Sequence, residues 1–135
     1  MKREILFRGK SKKNGNYEYG SLLVTKNRAY KCNIVVQTSI TKETAIKIIE
    51  VYPETIEQFT GLFDKNGIKI FEGDIVKMGN DYALISFQNG GFGYTSNSWK
   101  DFISFAGHNH LLAVIKMMEV ISTIHDNPEL LEANQ

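Results

Sequence analysis

A single cysteine, Cys32, in 135 residues can close no intrachain disulfide, and a cysteine-built zinc site lacks its ligands. A reducing, cytoplasmic setting is therefore expected. Charge of one sign is also scarce: sixteen Lys and Arg face fifteen Asp and Glu, a formal net charge of +1. That balance lacks the basic excess of a dedicated duplex-DNA binder. Long apolar runs are missing too, and Ile5-Leu6-Phe7, closed in by charges, is too short for the apolar region of a signal peptide. A soluble chain with no membrane association is expected. The absence of a fixed-period repeat or low-complexity tract sets solenoids and linkers aside.

What is present suits one globular domain over residues 1–135, with 42% hydrophobic and 23% charged residues. Eight Phe, six Tyr and eleven Gly beside only two Pro favour short strands joined by tight turns. Residues 3–8 alternate as a half-buried strand does, with Ile5 and Phe7 on one side, and Asn14-Gly15 supplies a hairpin turn into a returning strand over 17–25. The Lys-rich connection over 9–16 is expected to be solvated. Further strands fit 29–37 and 45–52, with a short helix over 41–49 as the competing reading, and Pro53-Glu54 begins a single helical turn expected over 53–58.

Asn66-Gly67 between alternating residues is the clearest hairpin signal in the chain. Turns at Glu72-Gly73-Asp74, Gly79-Asn80-Asp81 and Asn89-Gly90-Gly91 then divide the middle into a meander, the pattern of a barrel or sandwich. Over 111–124, Leu111, Val114, Ile115 and Met118 fit a helical face, while Val120, Ile121 and Ile124 suit a strand. Asn127-Pro128-Glu129 has the capping residue, first-position proline and early acid of a helix start, so one turn through Leu131 should follow. The pattern leaves the local structure of 38–50 and 97–113 open.

Three groups of residues, read together, resemble the YopX family. They are Phe7-Arg8-Gly9 with Tyr19-Gly20-Ser21-Leu22; Pro53-Glu54-Thr55-Ile56 through Gln58, Thr60, Gly61 and Leu62 to Asp64-Lys65-Asn66-Gly67 and Glu72-Gly73-Asp74-Ile75-Val76; and Asn127-Pro128-Glu129-Leu130-Leu131. Order and spacing agree over nearly the whole chain. The resemblance implies a small protein of bacteriophages, prophages and related mobile elements, with a mainly β fold of coiled, barrel-like antiparallel sheets and one or two short helical turns. It implies no established activity and no cofactor. It also tips 114–124 toward strand. The sequence departs from the family pattern at Glu57, Ser122 and His125, where members often carry Gly, Gly and Tyr.

Candidate chemistry is sparse. His108-Asn109-His110 spells the name of a nuclease motif without its spacing. On a strand the two histidines would face one side, but catalytic zinc takes three protein ligands. Asp81 or Asp101 would have to converge on them, so surface histidines are the expected reading and no metal site is assigned. Gly91-Phe92-Gly93-Tyr94 matches the centre of an RNA-recognition signature, but Gly90 replaces the leading cation and Thr95 and Asn97 fail the later positions. Ordinary strand residues are expected there. Cys32 has no adjacent His to raise its thiolate fraction and reads as structural. A charge-assisted pair between Arg8 and Glu72 or Asp74 would register the first strand against the turn after the second hairpin.

The leading expectation is a non-enzymatic, phage- or prophage-derived cytoplasmic protein that binds another macromolecule, a protein, through an exposed sheet face or edge. One alternative is a nucleic-acid-binding factor using Arg8, Lys10, Lys12 and Lys13, near Lys2 and Arg3, with Phe92, Tyr94 or Trp99 as stacking groups. The other is a small metal-dependent hydrolase around His108 and His110. Oligomeric state is not legible.

Overall fold

Segments with apolar residues at every second position, cut by glycine-containing turns, become antiparallel strands in the computed structural model, which describes residues 3–40, 43–107 and 109–132. The fold is mainly β. By internal contacts the chain divides into two compact units, Met1–Phe59 and Thr60–Gln135.

The first unit contains β1 (Phe7–Lys10), β2 (Tyr17–Thr25), β3 (Lys31–Ile40), β4 (Glu43–Val51), a 3-10 turn at Pro53–Thr55 and the start of β5 (Glu57–Phe63). The strand order is β4-β3-β2-β1, with β5 beside β1 through Phe7↔Gln58 and Arg8↔Glu57. Period two puts Cys32, Ile34 and Val51 on one face, where they are buried with Phe7, Leu22, Val36, Ile49 and Ile56 around them. Gly20 is required on β2, because a Cβ there would overlap the Val35 carbonyl oxygen. The sheet coils until the end of β4 meets the exit of β1: the Tyr52 N–H donates to the Lys10 carbonyl at 2.9 Å and the Lys12 N–H to the Glu50 carbonyl at 3.0 Å.

Three expectations change in this unit. The first strand begins at Phe7 instead of residue 3, because the ladders to both neighbours start there, and Ile5 stays 61% exposed. The competing helix over 41–49 gives way to β4, which pairs with β3 from Cys32↔Val51 to Ile40↔Glu43; residues 41 and 42 lie outside the described residues. The turn begun by Pro53 ends at Thr55, since Glu57 joins the ladder of β1.

The second unit holds the rest of β5, then β6 (Lys69–Phe71), β7 (Asp74–Met78), β8 (Asp81–Gln88), β9 (Gly91–Ser96), β10 (Phe102–Ser104), α1 (Leu111–Ile115), β11 (Met118–Thr123) and a 3-10 turn at Pro128–Glu132. Its sheet runs β10-β9-β8-β7-β11. Ile70, Val76, Ala83, Ile85, Tyr94, Phe105, Ile115 and Met118 are the buried core. The Asn66-Gly67 hairpin is present, with Gly67 at φ 78°, and the Thr60 hydroxyl donates to the Ile70 carbonyl at 2.7 Å. Asp74 closes the next turn by accepting the Phe71 N–H at 2.8 Å.

Over 111–124 the helical reading holds at Leu111–Ile115, and the strand expected from residue 114 is corrected, since it begins only at Met118 and ends at Thr123. Ile115 enters the core from a single helical turn, and Met118 begins a strand because it pairs with Met78 on β7. A bulge between Val120 and Ser122 shifts the register against Val76 and Ile75. The barrel-like expectation needs correction: both sheets are antiparallel and the first is coiled, but neither closes into a barrel. Among the described residues there are three short helical segments, one more than expected.

Gly93 on β9 sits where a Cβ would overlap the Ile103 carbonyl oxygen and stand 2.5 Å from the Phe102 ring. Gly93→Ala is expected to lose about 1–3 kcal/mol through forced displacement of β10. An unchanged urea midpoint would show that β10 yields freely.

Candidate binding surface

β4 lies at one end of its sheet, so among the described residues one side of its backbone faces no strand before the bridge from Val51 to Ser11. At its C-terminal end that side is covered, because the Glu50 carbonyl and the Tyr52 N–H are taken by Lys12 and Lys10. Backbone direction repeats every two residues, so Ile48 and Ile46 turn their N–H and C=O groups to the same side. Their side chains stand on the face opposite Val51 and are 62% and 65% exposed. Val35 on β3 pairs with Ile48, and Tyr19 and Leu23 on β2 are exposed as well. Native edge strands are blunted by charge, proline or cover; here Lys47 is the one charged residue between the two isoleucines.

Beside this edge runs an open groove of about 670 Å³ whose lining includes Ser11, Lys12, Lys13, Lys47, Ile48 and Glu50. Lys12 Nζ lies 2.9 Å from Glu50 Oε2. The hydrogen bond to Glu50 raises the Lys12 pKa from its ordinary value, and the same bond lowers that of Glu50. The pair is exposed to solvent and screened, so it shapes the groove wall more than it stabilises the fold.

The other sequence candidates fall in different places. Arg8 is buried, with its Nε 2.9 Å from Glu57 Oε1 and its guanidinium 4.6 Å from the centre of the Tyr17 ring. Lys10 lies over the same ring at 5.3 Å, and Lys13 lines the groove. Phe92 is half-buried and meets Phe87 edge-on at 5.1 Å, whereas Trp99 is 67% exposed in the turn after β9. Tyr94 corrects its proposed stacking role: it is core, packed on Phe105 at 5.7 Å, where no base reaches it.

Of the suggested metal ligands, His108 lies outside the described residues, and His110 and Asp101 are exposed. Among the described residues no group of three or more His, Cys, Asp or Glu comes together. Asp81 instead accepts the Tyr82 N–H at 3.0 Å and the Ser98 N–H at 3.3 Å.

Several family-like positions hold turns and close approaches. A Cβ at Gly9 would meet the Val51 side chain at 2.9 Å, and Gly61 and Gly73 have φ of 89° and 84°. Asn127 does not spend its side-chain oxygen on a helix N–H; that oxygen accepts the Ser122 hydroxyl, while its amide donates to Glu129 at 2.9 Å ahead of Pro128. Sequence reasoning did not single out Ile46 and Ile48. Their alternation was visible, but which face of β4 looks outward depends on which face β3 buries.

Burial pulls the Asp81 carboxyl upward and the bonds from Ser98, Tyr82 and Ser96 outweigh it, so its pKa lies below the ordinary 3.8. A depressed folded-state pKa contributes stability above the unfolded value that is lost as pH falls through the folded one. Asp81→Asn should therefore flatten the loss of melting temperature below about pH 4. Parallel acid melts of the two proteins would refute this.

The family model described as YopX protein matches residues 6–132. None of the curated proteins matches the chain. Among solved structures the chain is similar to the crystal structure of protein EF1440 from Enterococcus faecalis, at 24% identity and a TM-score of 0.61, over 96% of this chain and 99% of that one. That likeness is one of fold. Among the described residues no helix is long and apolar enough to cross a membrane.

Proposed function

We propose, on the premise that this chain belongs to the YopX family, that it is a non-enzymatic module that binds another protein through the edge and outward face of β4. It acts in the cytoplasm of a bacterial host and derives from a phage or prophage. The observation that carries this reading is the pair Ile46 and Ile48, exposed on a strand at the end of its sheet, where among the described residues no strand pairs with their outward backbone groups. Strand addition to such an edge supplies main-chain hydrogen bonds, and alternate side chains supply selectivity. The Lys12, Lys13 and Lys47 rim adds charge to a groove with no aromatic among its described lining residues, although Tyr52 stands 5.9 Å from Lys12 Nζ; a single-strand binder sets stacking aromatics beside its cations.

The test is affinity capture from host extract with the wild-type chain and with Ile46→Lys/Ile48→Lys. Proteins retained by the first and released by the second support the reading. The same proteins held equally by both, or salt-dependent oligonucleotide binding that removes them, would overturn it.

A further inference from the structure

The geometry points to an extended peptide with a free C-terminal carboxylate as the occupant of the β4 edge, added parallel to β4 so that its last residue ends in the groove beside Ser11 and Lys13. This rests on the binding role proposed for that edge and names the chemistry of the partner.

Along Ile46 and Ile48 the outward N–H and C=O groups are open to a new strand, but two residues further on the Glu50 carbonyl is taken by the Lys12 N–H at 3.0 Å. The residues that follow β1 therefore stand where an added strand would continue, and the bridge from Ser11 to Val51 holds them there. A segment that extends the sheet along Ile46 and Ile48 must finish opposite Ile49. Glu50 leaves one group for that end: its N–H points to the same side as its carbonyl and has no acceptor among the described residues. In the slanted bonding of a parallel pair, this N–H donates to the carboxyl group of the residue opposite Ile49, the last for which there is room.

Charge at this end decides the direction of the added chain. The groove is lined by Lys12, Lys13 and Lys47 against Glu18 and Glu50. Lys12 and Glu50 satisfy each other at 2.9 Å, whereas Lys13, Lys47 and Glu18 make no ion pair among the described residues. Two lysines against one glutamate leave the excess positive. Antiparallel addition would bring a terminal ammonium here, a like charge; parallel addition brings a terminal carboxylate, an opposite one. Ser11 lines the same groove at 2% exposure, and its oxygen accepts the Lys13 N–H at 3.1 Å, which leaves its own proton for an anion. Main-chain bonds along the edge and capture of a terminal carboxylate by N–H groups are established modes of peptide recognition, and here they fall in line.

A library of random heptapeptides displayed with free C-termini, selected on the full chain, tests it. The tightest peptide is synthesised as the carboxylate and as the carboxamide, and both are titrated by fluorescence anisotropy. The carboxylate should bind about tenfold or more tightly than the carboxamide, as bonds to a charged acceptor do. Lys13→Gln, at an exposed position, should erase most of that difference without weakening the carboxamide. Ile48→Pro removes an outward N–H and leaves the β3 ladder whole, so it should weaken both forms. Circular dichroism checks the fold of each variant, and Lys13→Gln decides the matter if Ile48→Pro does not fold. A library that yields no binder, equal affinity of the two forms, a difference that survives Lys13→Gln, or full binding by a folded Ile48→Pro would each overturn the C-terminal assignment. Host proteins still lost on Ile46→Lys/Ile48→Lys while the two peptide forms bind alike would overturn this inference alone and leave the broader binding reading standing.

Discussion

Replacing Arg8 with Met is expected to destabilise the protein by about 3–5 kcal/mol, because it removes the guanidinium that lies 2.9 Å from the buried Glu57 carboxylate. Both residues are almost fully enclosed, at 4% and 5% exposure, and they sit directly opposite each other where β1 pairs with β5. The Tyr17 hydroxyl also reaches Glu57 Oε1, at 3.3 Å, and the Arg8 guanidinium packs on the same ring. These contacts hold one arrangement of β1, β2 and the start of β5. Two charges taken out of water lose hydration that their attraction only partly returns, so the pair as a whole need not be stabilising. The double variant Arg8→Met/Glu57→Met should accordingly recover most of the loss. Chemical denaturation of the two single variants and the double variant measures the coupling; additive effects would mean that the pair acts as two independent residues.

Asp64→Asn is the second large effect, with an expected loss of about 3 kcal/mol or more, since hydrogen bonds to a charged acceptor contribute roughly 1.5–3 kcal/mol each. One carboxylate oxygen accepts the Asn66 and Ile68 N–H groups at 2.8 and 2.9 Å, and the other accepts the Val120 N–H at 2.9 Å. Asp64 therefore shapes the hairpin between β5 and β6 and ties it to β11 at the bulge. An asparagine keeps the size but presents at most one acceptor oxygen, so either the turn or Val120 meets an N–H donor instead. Faster hydrogen exchange at the Val120 amide, together with a lower melting temperature, is the expected signature. Unchanged exchange there would show that water replaces the carboxylate at no loss.

These two sites show what a linear reading can reach. Asp64 was legible as a turn residue, because an aspartate before Asn-Gly caps its own bend within a few positions. Its bond to Val120, across 56 positions, was not, since nothing local specifies which distant N–H a bulge will free. Arg8 was legible as a charged residue that registers the first strand, yet its partner Glu57 stood out only as a departure from the family pattern. Ion pairing depends on which strands become neighbours, and the pairing of β1 with β5 is a choice made by the whole sheet.

The same division holds for the candidate surface. The residue types and alternation of β4 were present in the chain, and they argued for a strand over 45–52 with a short helix over 41–49 as the competing reading. Pairing with β3 from Cys32↔Val51 onward settled the matter and buried Ile34 and Val51, which turned Ile46 and Ile48 to solvent.

By itself the sequence determined a mainly β chain, its tight glycine turns and its family, because turn chemistry and period-two alternation act within a few residues. Tertiary structure alone decided the order of the strands, the burial of Arg8 with Glu57, the placing of Tyr94 in the core and the outward facing of Ile46 and Ile48. Those outcomes follow from which surfaces exclude water together, a property of pairs of segments far apart in the chain.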